Sequence, residues 1–210
     1  SRGEATRYKV ESYIRAAYRD GMRRGMVSRD CDPFFDYQIE RVPLKDIETV
    51  SPDTLRKLAK LKCENSETER TRDMLLASFY LCGANLLDLY EMQEPKHGEV
   101  VFVRHKIEGH DRQSIHIRIE PELRALLDRY GGDGRMLHFK ATYANYESFR
   151  HKIGHRLREV SREIGFDVNM AKVRRTWATI AGSLRIEELV IDKSMGHVVR
   201  TVTASHYEKY

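Results

Sequence analysis

No apolar run in this chain approaches the roughly 20 residues that a helix needs to cross a bilayer. That argues against a membrane role. The opening SRGEATRYKV is polar, and no secretory leader is visible in it. Cysteine is scarce: Cys31, Cys63 and Cys82 are the only three, and they are scattered. They form neither an even disulfide set nor a close metal-ligating pair, which fits a reducing cytosol. Internal repeats and low-complexity tracts are also missing, so neither a solenoid nor a disordered chain is indicated.

What is present suits a soluble globular protein. Of 210 residues, 40% are hydrophobic and 33% charged, enough for one good-sized domain or one domain plus a piece of another. Lys and Arg number 37 against 32 Asp and Glu, a formal charge of +5. That excess permits a polyanionic partner without requiring one. Its distribution says more. One basic cluster lies near the start and includes Arg15, Arg19 and Arg23. A second, FRHKIGHRLREVSRE, holds Arg150, Lys152, Arg156 and Arg158. Either alone reads as a solvated helix face. Together they are candidate phosphate contacts.

Periodicity outlines the elements. Val10, Tyr13, Ile14 and Ala17 share one face of an N-terminal helix. A lone amphipathic helix cannot bury its own apolar stripe. Residues 1–42 are therefore expected to be a helix and linker from a second, helical domain, and 43–210 the main domain. Ser51 before Pro52 signals a helix start. TRDMLLASFYLCGANLLDLYEM reads as an apolar helix, a break near Gly83, and another helix. GEVVFVRHKI and QSIHIRIE read as a strand hairpin. Tyr146, Phe149, Ile153, Leu157, Val160 and Ile164 form one helical stripe; Val173, Trp177, Ile180 and Leu184 form another. The expected fold is mainly α with one small antiparallel β-sheet.

Four polar motifs do not belong to a core. Gly83 to Leu89 reads GANLLDL, and Arg104 to Ile107 reads RHKI. Ala171 to Thr179 reads AKVRRTWAT, and MGHVVRTVTASHYEKY closes the sequence. In this order the motifs resemble the catalytic domain of the tyrosine recombinases, the phage-integrase family. They are most similar in style to integrases of conjugative and mobilizable elements. The family reads G-x-R-x-x-E-L, then R-x-K-T, then H-x-x-R-H-T-F-A-T, then G-H and a tyrosine nine or ten residues later. Here the matches are Gly83, Asp88 and Leu89; Arg104 and Lys106; Arg174 and the residues after it; then Gly196, His197 and Tyr207.

The resemblance implies an enzyme that cuts and rejoins DNA through a 3′-phosphotyrosine. Tyr207 would be the nucleophile, Arg174 the phosphate clamp, Lys106 the general acid, and His197 a hydrogen-bond donor to the same phosphate. It implies double-stranded DNA as partner, a homo-multimer on paired sites, no cofactor and no metal, and a nucleoid-associated life in a bacterial cytoplasm. A phenol with pKa of about 10 is a poor nucleophile at neutral pH, so such a site needs fixed positive charge around the phosphate.

Three family positions depart. Asn85 stands where the first arginine belongs, and Ala171 replaces a histidine three places before Arg174. Arg175 takes the place of another histidine. Either Arg175, Arg72 or Arg200 lends the missing charge, or the enzyme is slow or inactive. Several readings stay open: a recombinase relative that holds DNA without cutting, a type IB topoisomerase-like enzyme, or a helical interaction domain. Tyr210 competes with Tyr207 as nucleophile, because a spacing of nine from the histidine lands on His206.

Overall fold

The computed structural model describes residues 2–41, 48–105, 114–132, 136–137, 143 and 145–197. Two compact units divide the chain, Ser1–Asp46 and Ile47–Tyr210. In the first, helix α1 (Arg2–Arg23) is followed by Gly25, whose φ of 70° lets the Met26 N–H reach Gly21 O at 2.9 Å. A single 3-10 turn, Arg29–Cys31, follows, and Phe34 then meets Tyr18 edge to face. The apolar stripe of α1 is largely open, with Tyr13 at 63% exposure.

The second unit runs α2 (Pro52–Lys60), α3 (Ser66–Tyr80), α4 (Leu86–Glu91), β1 (Glu99–Phe102), β2 (Ile115–Arg118), α5 (Pro121–Tyr130), α6 (Tyr146–Ile164), α7 (Met170–Ser183) and α8 (Glu188–Ser194). The starts of four helices follow from one residue each. Ser51, Asn65, Asn145 and Asn169 accept the backbone N–H three residues on, at 2.8 to 3.1 Å. Each such bond satisfies a donor that the helix cannot satisfy itself.

Helix α3 is the hub. Met74, Leu75, Leu76 and Ala77 are all buried, so it is enclosed on every side rather than along one stripe. Helices α2, α5, α6 and α7 pack around it. Phe149, fully buried, stacks near Tyr90 and Tyr143 with ring centroids 5.0 and 5.2 Å away. The two strands pair antiparallel, Glu99 opposite Arg118 and Phe102 opposite Ile115. Ile115 and Ile117 face inward while His116 and Arg118 face out.

The described residues are thus mainly helical with one small antiparallel sheet, as the sequence pattern predicts. β1 is formed over Glu99–Phe102, and the end of the predicted run, Lys106 and Ile107, lies outside the described residues. One detail differs. Leu184 leaves its predicted stripe. It caps α7 beyond the last turn and is 69% exposed.

Candidate active site

The site begins at the break after α3. The chain turns there through Cys82 and Gly83, with φ of 54° and 75°. A Cβ on Gly83 would stand 2.7 Å from Arg174 Cα and 2.6 Å from its Cγ. Only glycine lets α7 come this close. Arg174 Nη1 then donates to Gly83 O at 2.8 Å. The motif glycine and the motif arginine are two sides of one contact.

The other wall is the end of α8. Gly196, at φ 65°, donates to Lys193 O, and the His197 N–H reaches Asp192 O at 2.8 Å. This pair of bonds is a Schellman cap, so the Gly-His box ends a helix and aims a histidine at once. The turn presents Met195 O to two guanidinium groups. Arg174 Nη2 donates to it at 2.7 Å and Arg104 Nη1 at 3.1 Å. A Cβ on Gly196 would lie 2.5 Å from Arg104 Cδ and from Ile115 Cδ1. Gly196 is needed for its backbone and for the room it leaves.

His197 bridges an acid and a base. Its Nδ1 is 2.7 Å from Asp192 Oδ1 and its Nε2 is 3.0 Å from Arg174 Nη2. A carboxylate only accepts, so the proton sits on Nδ1 and Nε2 accepts from Arg174. The imidazole can donate from Nε2 only with a proton on each nitrogen. Burial, and then the positive charge of Arg104, pull the Arg174 guanidinium down to about 10, with Asp88 opposing. Arg174 is therefore charged at neutral pH and under-neutralised. Asp88 is 3% exposed. Its Oδ2 stands 3.8 Å from Arg104 Nε, and both atoms are buried without a hydrogen-bond partner. Two guanidinium groups with one buried carboxylate make a place for an anion.

No family model matches the sequence, and no curated protein matches it. Several solved structures match in fold, and two of them show the likeness. One is the XerH site-specific recombinase bound to its difH substrate in a pre-cleavage complex. It shares 13% identity, covers 77% of this chain and 51% of that one, and gives a TM-score of 0.50. The other is the Tn1549 transposon integrase in complex with circular intermediate DNA. It shares 14% identity, covers 97% of this chain and 76% of that one, with a TM-score of 0.55. The fold is that of the tyrosine recombinases. This chain spans about half the length of the XerH chain that it matches.

In this tyrosine recombinase fold the residues expected from sequence fall into three groups. Arg174 and His197 are in contact. Asn85 is nearby in sequence, two residues past Gly83. It caps α4 without a side-chain bond to the helix. Ala171 and Arg175 lie on α7, and Arg175 is exposed. Lys106, Tyr207, Tyr210, His206 and Arg200 lie outside the described residues. Of the candidate charge donors, Arg72 is committed elsewhere: it donates to Leu61 O at 2.6 Å and to Glu69 at 2.9 Å.

The proposed DNA contacts also divide. Arg150, Lys152 and Arg158 line one shallow groove on α6 with His151 and Gly154. Arg150 pairs with Glu147 and Arg156 with Glu159, each at 2.9 Å. Arg15, Arg19 and Arg23 line a groove in the first unit, and Arg23 also pairs with Asp20. Among the described residues no cluster of His, Cys, Asp and Glu could hold a metal ion, and no helix is long and apolar enough to cross a membrane. Sequence reasoning missed two members of the site. Asp192 could have been found five residues before His197. Arg104 was in view as part of R-x-K, but nothing in the sequence placed it beside Arg174.

Proposed function

We propose that this chain is the catalytic part of a site-specific DNA recombinase that integrates or excises a mobile element. The observation that carries the reading is the Arg174–His197 contact on the Gly196 cap, within a tyrosine recombinase fold and ten residues before Tyr207. Deprotonated Tyr207 attacks the scissile phosphorus and the P–O5′ bond breaks. Lys106 protonates the departing 5′-oxygen. Arg174 stabilises the charge that gathers on the non-bridging oxygens. The resulting 3′-phosphotyrosine keeps the bond energy, and a 5′-hydroxyl from another strand reverses the step. The enzyme acts as a multimer on paired sites in double-stranded DNA.

The basic faces at Arg15, Arg19 and Arg23, and at Arg150, Lys152, Arg156 and Arg158, supply phosphate contacts. Each contact removed flattens the salt dependence of binding by a slope of about 0.9. The deciding experiment incubates the protein with nicked duplexes tiled across the DNA flanking its gene, followed by denaturing gels. A covalent adduct that disappears in Tyr207→Phe is expected. An adduct lost in Tyr210→Phe instead moves the nucleophile and keeps the enzyme class. Salt-sensitive binding with no adduct makes the protein a DNA-holding module. Relaxation of supercoils by a monomer makes it topoisomerase-like.

A further inference from the structure

The family resemblance leaves a hole at Asn85, where no positive charge stands. Three arginines suggested by sequence do not fill it among the described residues. Arg72 is tied into the α2–α3 corner, Arg175 is exposed on α7, and Arg200 falls outside. Arg104 is different. It leaves the end of β1, its side chain is only 10% exposed, and it shares the Met195 carbonyl with Arg174. An arginine has five N–H donors. Arg174 has three of them engaged, on Gly83, Met195 and His197. Arg104 has one engaged among the described residues, and its buried Nε has no partner.

We propose that Arg104 is a second phosphate-binding arginine, approaching the scissile phosphate from the end of β1 in place of the one that Asn85 lacks. This rests on the recombinase reading for the identity of the phosphate, though not for the existence of the anion site. The physical reasons are three. Asp88 stands 3.8 Å from Arg104 Nε without a hydrogen bond, so that buried donor is left for another acceptor. A like-charged neighbour on the same carbonyl raises the cost of leaving both unpaired, and a dianionic or monoanionic phosphate relieves it. Gly196 keeps open the space that the Arg104 stem occupies. Asp88 has a positioning role: it holds the His105 backbone at 3.1 Å and so sets where the chain leaves β1.

The test has two arms. In the first, the protein is titrated with inorganic phosphate while the Nε–H resonances of its arginines are followed by ¹⁵N NMR. The Arg104 and Arg174 signals are expected to move with one midpoint, and the Arg72 signal to stay. Arg104→Lys keeps the charge and should weaken that midpoint. An Arg104 signal that stays still while Arg174 moves overturns the proposal. This arm needs no catalysis, so it stands even if no DNA adduct ever forms.

The second arm compares adduct formation on a normal nicked duplex and on one with a neutral methylphosphonate at the scissile position. Arg104→Ala should cost about 10²–10³ in rate on the phosphate, as for the loss of one transition-state donor. Most of that loss should vanish on the methylphosphonate, which has less charge to stabilise. Asn85→Arg added to Arg104→Ala should restore part of it. An equal loss on both substrates, in a variant that melts like the parent, reduces Arg104 to a structural cation and overturns the proposal while leaving the recombinase reading intact.

Discussion

Two arginine clusters with a buried carboxylate each lie in the second unit, and they are built to opposite ends. At the α3–α5 corner, Arg72 and Arg129 face Glu69 and Asp73. Arg72 Nε lies 2.5 Å from Asp73 Oδ1, and Asp73 Oδ2 takes Arg129 at 2.9 Å and the Tyr130 hydroxyl at 2.7 Å. Two cations meet two anions, and backbone carbonyls take further donors. At the other cluster Arg104 and Arg174 meet backbone carbonyls and one carboxylate 3.8 Å away. The first cluster holds as many anions as cations, although Arg72 Nε makes no hydrogen bond. In the second, Asp88 stands farther off and Asp192 reaches Arg174 only through His197. The difference teaches that burial of arginine says little until the acceptors are named: carbonyls orient a guanidinium but leave its charge for something else.

The largest expected effect breaks the first cluster. Arg72→Ala leaves the buried Asp73 with one cation fewer, which costs about 3–5 kcal/mol of stability. Chemical denaturation should show it as a lower midpoint. DNA cleavage per folded molecule should not change. A stable variant would mean that Arg129 and Tyr130 already neutralise Asp73.

Next comes the second cluster. Arg174→Lys keeps a charge and loses the planar fork, so it should remove most cleavage activity, with a barrier rise of about 2.7–4 kcal/mol. The unfolding midpoint should stay near that of the parent. Single-turnover rates and melts on the same preparation separate the two clusters: one variant loses stability and the other loses rate. Reversal of that pattern would sink the contrast.

How much of this could be read from the chain depends on distance along it. The caps at Ser51, Asn65, Asn145 and Asn169 are local, and so is the stripe of α6; both are legible. The Gly-His box is legible twice over, as a helix end and as a histidine mount, because both meanings lie within five residues of Asp192. The meeting of Arg104 with Met195 spans 91 residues and joins two elements with no shared pattern. Periodicity carries no information about such a contact.

A glycine pair sharpens the comparison at smaller scale. Gly165 caps α6 and Gly196 caps α8, with φ of 70° and 65°. Nothing lies within 4 Å of a Cβ on Gly165, whereas one on Gly196 meets Arg104 at 2.5 Å. Alanine at either carries the left-handed strain, about 1–2 kcal/mol. Only Gly196→Ala should also weaken phosphate binding, by displacing Arg104. Equal phosphate affinity in the two variants would detach Gly196 from the anion site.

The smallest effect tests whether the first cluster is as self-contained as its geometry suggests. Burial, and then the hydrogen bond to Asp73, push the Tyr130 phenol up to about 12. Its ordinary value is 10.0. The unfolded chain therefore releases this proton first as pH rises. The contribution of Tyr130 is fully present below pH 10 and is lost between about 10 and 12, where the unfolded state binds fewer protons. Tyr130→Phe removes that share of the alkaline decline. At neutral pH the variant gives up one hydrogen bond, about 1 kcal/mol, while Asp73 keeps Arg129. Cys63 and Cys82, both pushed up to about 11 by burial, decline between about 9 and 11, equally in both proteins. The quantity to measure is thus the difference between parent and variant. Denaturation midpoints from pH 9 to 11.5 should converge as pH rises, because the parent loses what the variant never had. Midpoints that stay parallel would show that the Tyr130 hydroxyl is solvated and that Arg129 alone completes the cluster.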